Sequence, residues 1–440
     1  MNISKRSLFL LLLDQAAILL AYSFARYIYS GVFTWMPDHM IQSVAAIAFP
    51  LCFYVADLYY PYKFFSRSRT FVEIVFGVTS GAFILAAIAY FDRSYTTSRL
   101  MFSYMAAGMI PCIYSIRLIY DLIFKFRMLD KKCVIVGTGP LAVKLSEIIR
   151  ETPNSGLDLV GLISEEDRKN GAKNGGQIIG SLGNMLSVLD WYKVQLVVLA
   201  FEPKQDVSEV AIMSQILQRQ VSVTSGIHLL ENLTGEIPYQ LLGGHYLLGL
   251  MSQVRMNPYV RIKRVVDLLA GVVLCLALLP IFFAAVLILL VSGHGIFFVQ
   301  KRIGLSGKPF SLIKLRSMGT TKTGKPKVTR IGKWLRKYRI DEIPQLWNVL
   351  KGEMSLIGPR PEIPYFVDRS RHKIPFYDAV FSVKPGLTGW AQINFRHATT
   401  VKDYNQKFRY NLYYLKNISP TLDFVILLRT IRVVVLGKGK

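Results

Sequence analysis

The stretch Arg261-Ile-Lys263-Arg264-Val-Val-Asp267-Leu-Leu-Ala-Gly-Val-Val-Leu-Cys275-Leu-Ala-Leu-Leu-Pro280-Ile-Phe-Phe-Ala-Ala-Val-Leu-Ile-Leu-Leu-Val291 decides how this chain is organised. From Val265 to Val291 it runs for 27 residues with Asp267 as its one charge. That is long enough to cross a bilayer core of about 30 Å. A full crossing, however, would carry residues 295 to 440 outside the cell. Residues 251 to 440 hold 32 Lys and Arg against 9 Asp and Glu, a net of +23, which leaves +2 for residues 1 to 250. Basic segments stay on the cytoplasmic side, and both flanks of the run are basic, with Lys263 and Arg264 before it and Lys301 and Arg302 after it. A helix over 262–292 that breaks at Pro280 and leaves by the face it entered resolves the conflict. Proline supplies the break by removing a backbone hydrogen bond and clashing with the preceding turn.

The rest of the composition fits a membrane protein with soluble parts: 440 residues, 52% hydrophobic, mean hydropathy +0.34 and formal charge +25 imply two or three domains. Four apolar stretches, roughly 8–29, 40–60, 71–91 and 100–124, predict a bundle of four transmembrane helices within residues 1–128. The first holds Asp14 and Arg26 and lacks a small-residue cleavage pattern, so it is expected to stay attached. Lys5 and Arg6, then Lys63, Arg67 and Arg69, then Lys125, Arg127, Lys131 and Lys132 mark cytoplasmic segments. The loop 30–39 has no Lys or Arg, whereas 92–99 has Arg93 and Arg99 against Asp92. Asp14 and Asp57 read as span-end residues facing water.

Residues 129–250 open with Lys132-Cys-Val-Ile-Val-Gly137-Thr-Gly139-Pro-Leu-Ala142, a β-branched strand, a glycine turn and then an amphipathic run. Further strands at 157–163, 195–200 and 221–224 complete a Rossmann-like α/β domain with a linker. Gly137 and Gly139 are candidate cofactor-binding residues, with Glu165 or Glu166 placed to meet a ribose. A domain that keeps the fold without a cofactor is the competing reading. Cys52, Cys112, Cys133 and Cys275 lie far apart in apolar segments and the six histidines are scattered, which argues against disulfide and zinc frameworks.

Residues 251–440 carry the chemistry. A field of +23 attracts nucleic acid, anionic lipid or a phosphorylated small molecule; no nucleic-acid fold signature accompanies it. Gln300-Lys-Arg302-Ile-Gly304 is followed by Phe310-Ser-Leu-Ile-Lys314-Leu-Arg316-Ser-Met318, where alternation places Lys314 and Arg316 on one side of a strand. Two adjacent cations suit a pyrophosphate. Trp334-Leu-Arg336-Lys-Tyr-Arg339-Ile then leads into Asp341-Glu342 and Pro344. Pro344 either breaks that helix or starts the next one, whose positive end would favour an ionised Asp341. An ionised carboxylate is a nucleophile for phosphorus, and its neighbour can hold a divalent metal. In Gly358-Pro359-Arg360-Pro361 two prolines present one arginine with little freedom left to lose, which phosphoryl transfer rewards. The closing run 419–436, with Asp423, Arg429 and Arg432, is too short to cross and reads as a helix along the membrane interface or buried on the catalytic domain.

These segments resemble the bacterial polyprenyl-phosphate hexose-1-phosphate transferases, the sugar transferases that start exopolysaccharide or O-antigen assembly. The likeness is carried by Lys263-Arg264 to Asp267, Gln300 to Gly304, Lys314 to Met318, Thr329 through Glu362, and Lys384-Pro-Gly-Leu-Thr-Gly-Trp-Ala-Gln-Ile-Asn394. The four helices and the α/β domain match the family's long form, and Glu231-Asn-Leu-Thr-Gly-Glu-Ile-Pro resembles the linker of one exopolysaccharide branch. The resemblance implies a multi-pass protein of the bacterial inner membrane whose catalytic domain faces the cytoplasm. It implies a UDP-sugar donor and undecaprenyl phosphate acceptor, with Asp341 attacking the sugar-proximal phosphate to expel UMP, and Glu342 binding Mg²⁺. Arg336, Arg360, Lys314 and Arg316, with Gln300 and Arg302, would bind substrate phosphate. Arg339 departs from the family, which more often places a smaller polar residue there. A homodimer through the N-terminal portions is compatible with this reading. The competing reading is a non-catalytic membrane scaffold or sensor that binds a dinucleotide and anionic lipid.

Overall fold

The computed structural model describes residues 5–31, 39–56, 58–59, 67–91, 99–125, 130–152, 155–164, 177–200, 216, 219, 221–242, 244–293, 295–320, 326–395 and 400–435. Asp57, Glu165, Glu166 and most of the loops 30–39 and 92–99 lie outside the described residues. Two compact units divide the chain, Met1–Leu233 and Thr234–Lys440.

The first unit begins with helices α1 (Lys5–Ser30), α2 (His39–Val55), α3 (Arg67–Phe91) and α4 (Arg99–Lys125). Ile18 and Tyr22, Phe49 and Phe53, Ile74 and Val78, and Met105 and Met109 bring all four into one apolar core. Among the described residues of this unit, Phe9–Tyr29 and Thr70–Ile88 are long and apolar enough to cross a membrane, and Ser43–Tyr54 is a shorter apolar helix. Asp14 does not face water as its position near a span end suggested. It is fully buried and meets Arg117 of α4 in a bidentate pair, Nη2 to Oδ2 at 2.6 Å and Nη1 to Oδ1 at 3.1 Å. The helical register of α1 turns Asp14 inward, where an unpaired charge would be prohibitive.

Five parallel strands follow, β1 (Lys131–Val136), β2 (Leu157–Ser164), β3 (Ile178–Ser181), β4 (Leu196–Leu199) and β5 (Ser222–Ser225), in the order β3-β2-β1-β4-β5. That is the order of the first five strands of the doubly wound Rossmann sheet. The two-residue period of β1 sends Cys133 and Ile135 into the core under the helix Pro140–Glu151, and Val134 and Val136 into the core on the other face with Val188 and Leu189.

The second unit starts inside the segment read as linker. Gly235 accepts a hydrogen bond from Trp390 Nε1 at 2.7 Å, and the Ile237 amide donates to the Arg409 carbonyl at 3.2 Å. These bonds tie Gly235 and Ile237 to Trp390 and Arg409 of the same unit. The apolar run then forms one helix, Tyr259–Val291, and Pro280 lies inside it without ending it. Proline removes a single donor, and the helical conformation continues on both sides. The helix is long and apolar enough to cross a membrane. Both of its halves pack on the same unit: Gly271 lies against Leu350 and Val349, while Ala285 and Leu289 pack with Leu315, Leu335 and Ile340. Between them Val273, Leu276, Leu279 and Phe283 are exposed.

Short pieces of sheet surround these contacts. β6 (Phe297–Ile303) and β7 (Pro309–Leu315) form an antiparallel hairpin, β8 (Met318–Thr320) pairs with β9 (Pro326–Val328), and β10 (Ser355–Ile357) lies parallel to β11 (Gly386–Thr388). The helix Pro420–Val435 buries Leu422, Asp423, Val425, Ile426 and Leu428 and leaves Phe424 and Ile431 exposed.

Candidate active site

Thr329 caps the helix Arg330–Lys337 through Oγ1, which accepts from the Gly332 amide at 2.8 Å. Leu335 faces the core, and the helix ends where Arg339 enters the left-handed region at φ 54°, ψ 23°. Such a conformation is costly for a residue with a side chain. It turns the chain into the 3₁₀ turn Ile340–Glu342, which buries both carboxylates. Ile343 and Pro344 have right-handed helical angles, so the backbone winds on into the helix Gln345–Lys351. Pro344 therefore starts that helix, at a place where its missing amide is least needed.

Three cations converge on Glu342. Arg360 Nη2 donates to Oε1 at 3.2 Å, Lys314 Nζ lies 3.7 Å from Oε1, and Arg339 Nη1 lies 3.6 Å from Oε2. Burial alone would raise the Glu342 carboxyl, but Arg360, Lys314 and Arg339 together hold it at about 2. Asp341 moves the other way. Its burial and then the Glu342 charge push it above the usual carboxylate range, against the pull of Lys314, Arg336 and Arg360. Neighbouring carboxylates thus titrate apart, the pattern expected where two acids take different chemical roles. Burial lowers Lys314 more than the nearby Glu342 raises it.

The remaining sequence-chosen residues divide. Arg336 is held by Nε donating to Ser317 Oγ at 2.9 Å and acts on Asp341. Arg302 donates from Nη2 to Gln300 Oε1 at 2.7 Å and from Nη1 to the Pro361 carbonyl at 3.1 Å, so Gln300 and Arg302 brace the loop that carries Arg360. Arg316 is not brought to the pair. It follows the end of β7, is exposed, and donates to the Phe297 carbonyl at 3.4 Å. Gly137 and Gly139 belong to the first unit, where Gly137 has φ 118° and Gly139 caps the helix Pro140–Glu151.

Several further residues support the site, with structural roles that the sequence did not assign. Gly358 donates to the Thr388 carbonyl at 2.9 Å and Gly386 to the Pro359 carbonyl at 2.8 Å, so the two loops interleave. A Cβ on Gly386 would stand 2.1 Å from the Gly358 nitrogen, which explains the glycines of the Lys384–Asn394 motif. Asn348 is buried and fully engaged: its Nδ2 donates to Ser311 O at 2.8 Å and Glu353 Oε2 at 2.6 Å, and its Oδ1 accepts from the Ile313 amide at 3.3 Å. It fixes β7, and with it Lys314, to the helix that follows the carboxylates. Arg264 donates to the Val349 and Leu350 carbonyls at 2.6 and 2.8 Å, and Asp267 accepts from Ser355 Oγ and the Leu356 amide at 3.1 and 3.0 Å. Asp423 binds Lys263, Tyr259 and Tyr414. The polar head of the apolar helix is thus a clamp.

Among the described residues no group of three His, Cys, Asp or Glu could hold a metal. Two adjacent carboxylates are the donor set with which Mg²⁺ commonly accompanies substrate phosphates, but each oxygen of Glu342 already faces a cation. The oxygens of Glu342 are therefore engaged by the chain's own cations.

Residues 258–437 match the family described as bacterial sugar transferase, and residues 55–223 match the CoA-binding domain family. The chain is 41% identical over 220 residues to a UDP-N-acetylgalactosamine-undecaprenyl-phosphate N-acetylgalactosaminephosphotransferase of Aeromonas hydrophila, covering 48% of this chain and 51% of that one. It is 39% identical over 190 residues to an uncharacterized sugar transferase of Bacillus subtilis, covering 40% and 89%. Over 326 residues it is 31% identical to an undecaprenyl-phosphate glucose phosphotransferase of Komagataeibacter xylinus, covering 70% and 59%. The chain spans about half the length of the Aeromonas protein.

Proposed function

Because the chain belongs to the bacterial sugar transferases, in the long form that adds a helical region and a CoA-binding-type α/β domain, we propose that it transfers a hexose 1-phosphate from a UDP-sugar to undecaprenyl phosphate. The products are undecaprenyl-diphosphate-sugar and UMP, in the first membrane step of exopolysaccharide or O-antigen synthesis. One observation carries the reading: Asp341 and Glu342 sit side by side with their carboxyls shifted in opposite directions, inside a ring of Lys314, Arg336, Arg339 and Arg360.

An ionised Asp341 oxygen attacks the sugar-proximal phosphorus and the bond to the UMP oxygen breaks, leaving the phosphosugar on Asp341. A lipid phosphate oxygen then attacks the same phosphorus, forms the diphosphate and frees the carboxylate. Glu342 stays charged and holds Arg360, Lys314 and Arg339 in place while phosphate oxygens arrive. Mg²⁺ bound with the diphosphate at Glu342 would neutralise phosphate charge.

For the helix Tyr259–Val291 we propose a re-entrant membrane seating. At about 1.5 Å per residue its 33 residues exceed the bilayer core. Pro280 does not end the helix, but its basic head, through Lys263 and Arg264, and its C-terminal part, through Ala285 and Leu289, both pack on the same unit; a straight crossing would draw that unit into the bilayer, which supports a seating from the cytoplasmic face of the inner membrane. There a soluble sugar nucleotide and a lipid phosphate can meet.

A panel of UDP-sugars with undecaprenyl phosphate, read by UMP release, tests the activity and assigns the sugar. Asp341→Asn is expected to release no UMP; normal turnover by that variant rules out the covalent route.

A further inference from the structure

We propose that Gln345 is a substrate-binding residue whose buried amide donates to an oxygen on the sugar-phosphate half of the donor, an inference that rests on the transferase reading. Gln345 is 4% exposed, and among the described residues its Nε2 has no hydrogen-bond partner. A buried amide left unpaired is costly, and native structures satisfy nearly all of them. This fold does satisfy buried amides where their role is structural: Asn348, one turn later, uses both ends of its side chain on Ser311, Ile313 and Glu353. In the same unit Arg302 Nε and Gln392 Oε1 are also unpaired, but both side chains are bonded through their other polar atoms. Gln345 is therefore the side chain whose partner is best sought outside the chain.

Its position says which part of the ligand it meets. Ile343 and Pro344 are right-handed helical, the Ile343 amide donates to the Ile340 carbonyl, and the Leu346 and Trp347 amides donate to the carbonyls of Ile343 and Pro344. The backbone therefore winds without a break from Asp341 to Gln345. Each of these bonds reaches back three residues, as in a 3₁₀ turn, where residues three apart share a face. Gln345 thus lies on the face of Glu342, the carboxylate on which Arg360, Lys314 and Arg339 converge and which adjoins the proposed nucleophile, so the phosphate oxygens of the donor arrive on its side. A neutral donor there adds a hydrogen bond to an oxygen without adding to the charge that Lys314, Arg336 and Arg360 already place on the pair.

The test uses the full chain in detergent or membranes and compares wild type with Gln345→Met, which keeps length and helix propensity and removes the amide. Without ligand, Gln345→Met is expected to unfold at the wild-type temperature or above it, because it buries no unpaired donor. With the UDP-sugar that the wild type turns over, held below saturation, UMP release is expected to fall about 10- to 100-fold, the loss of one hydrogen bond to a charged group. Stabilisation of the fold by UMP alone is expected to stay unchanged, because the amide faces the other half of the donor. A lower unfolding temperature without ligand overturns the inference, since it reveals a partner within the free protein. So does UMP release within about twofold of wild type, or loss of the stabilisation by UMP. An active wild type with an equally active Gln345→Met sinks this inference alone, whereas a wild type that releases no UMP from any UDP-sugar sinks the transferase reading and the inference with it.

Discussion

Glu342→Gln keeps the side-chain shape and removes the charge on which Arg360, Lys314 and Arg339 converge at 3.2, 3.7 and 3.6 Å. Burial by itself would raise the carboxyl, yet the cations hold it at about 2 against an ordinary 4.5. A displacement of that size corresponds to about 3 kcal/mol favouring the ionised folded form. The carboxyl is lowered on folding, so this stability is present above pH 4.5 and is lost as pH falls toward 2. At pH 7 the variant should therefore lose about 3 kcal/mol, which for a unit of this size lowers its unfolding temperature by roughly 6–12 °C. At pH 3.5 the difference should shrink to about 2 kcal/mol, because part of the wild-type advantage has titrated away. Trp334, Trp347 and Trp390 report on this unit, so thermal unfolding followed by tryptophan fluorescence at the two pH values reads the effect. An unfolding temperature equal to wild type at pH 7, or a gap that widens on acidification, refutes the claim that the cations are organised by Glu342.

Asp341 is raised by burial and by Glu342, so its neutral form is favoured in the fold and its ionisation costs stability as pH rises. The acid limb of UMP release should fall above the ordinary carboxylate range, and Asp341→Asn should be no less stable than wild type at neutral pH; a limb at or below pH 3.8 contradicts this. Truncating Arg360 to Ala should slow UMP release on the order of 10²-fold, as loss of one preorganised charge-stabilising donor does, and a near-wild-type rate would reduce it to a turn residue. Arg339→Gly and Arg339→Val both remove a cation, but only Gly tolerates φ 54°, so Val should be about 1–2 kcal/mol less stable than Gly in thermal unfolding. Asp14→Ala leaves Arg117 buried without its partner and should cost about 3–5 kcal/mol, whereas replacing both by apolar residues should recover most of it. Equal unfolding temperatures for the single and double variants would show the pair to be energetically idle.

The α/β domain was readable because each of its signals is local: β-branched runs with a two-residue period, and a glycine turn leading into a helix. The Asp341-Glu342 pair was readable because its neighbours in sequence are also its neighbours in space. The cations were harder. Lys314 and Arg316 are two residues apart and look equivalent, but Leu315 is the last residue of β7. Beyond it alternation no longer governs direction, so Lys314 reaches Glu342 and Arg316 does not. Arg339 could be weighed only when its backbone conformation was known, since the left-handed turn is what brings its side chain back to Glu342. Asp14 reads as a boundary residue until Arg117, 103 positions away, is seen to meet it.

The basic head of the apolar helix shows why a dense positive field is not by itself a substrate site. Lys263 and Arg264 could have been assigned to phosphate by charge alone, yet Lys263 pairs with Asp423 and Arg264 caps the carbonyls of Val349 and Leu350. Those carbonyls close the helix whose opening turn follows Asp341 and Glu342, and a cation at a helix C-terminus is stabilising. Asp267, four residues after Lys263, holds β10, and β10 leads into the Gly358–Pro361 loop that carries Arg360. A shift of the apolar helix therefore moves the carboxylates through one arm of the clamp and Arg360 through the other. If the helix is seated in the bilayer, its seating fixes the spacing between nucleophile and phosphate-binding arginine. The reaction geometry is then set by the same element that brings the lipid acceptor within reach.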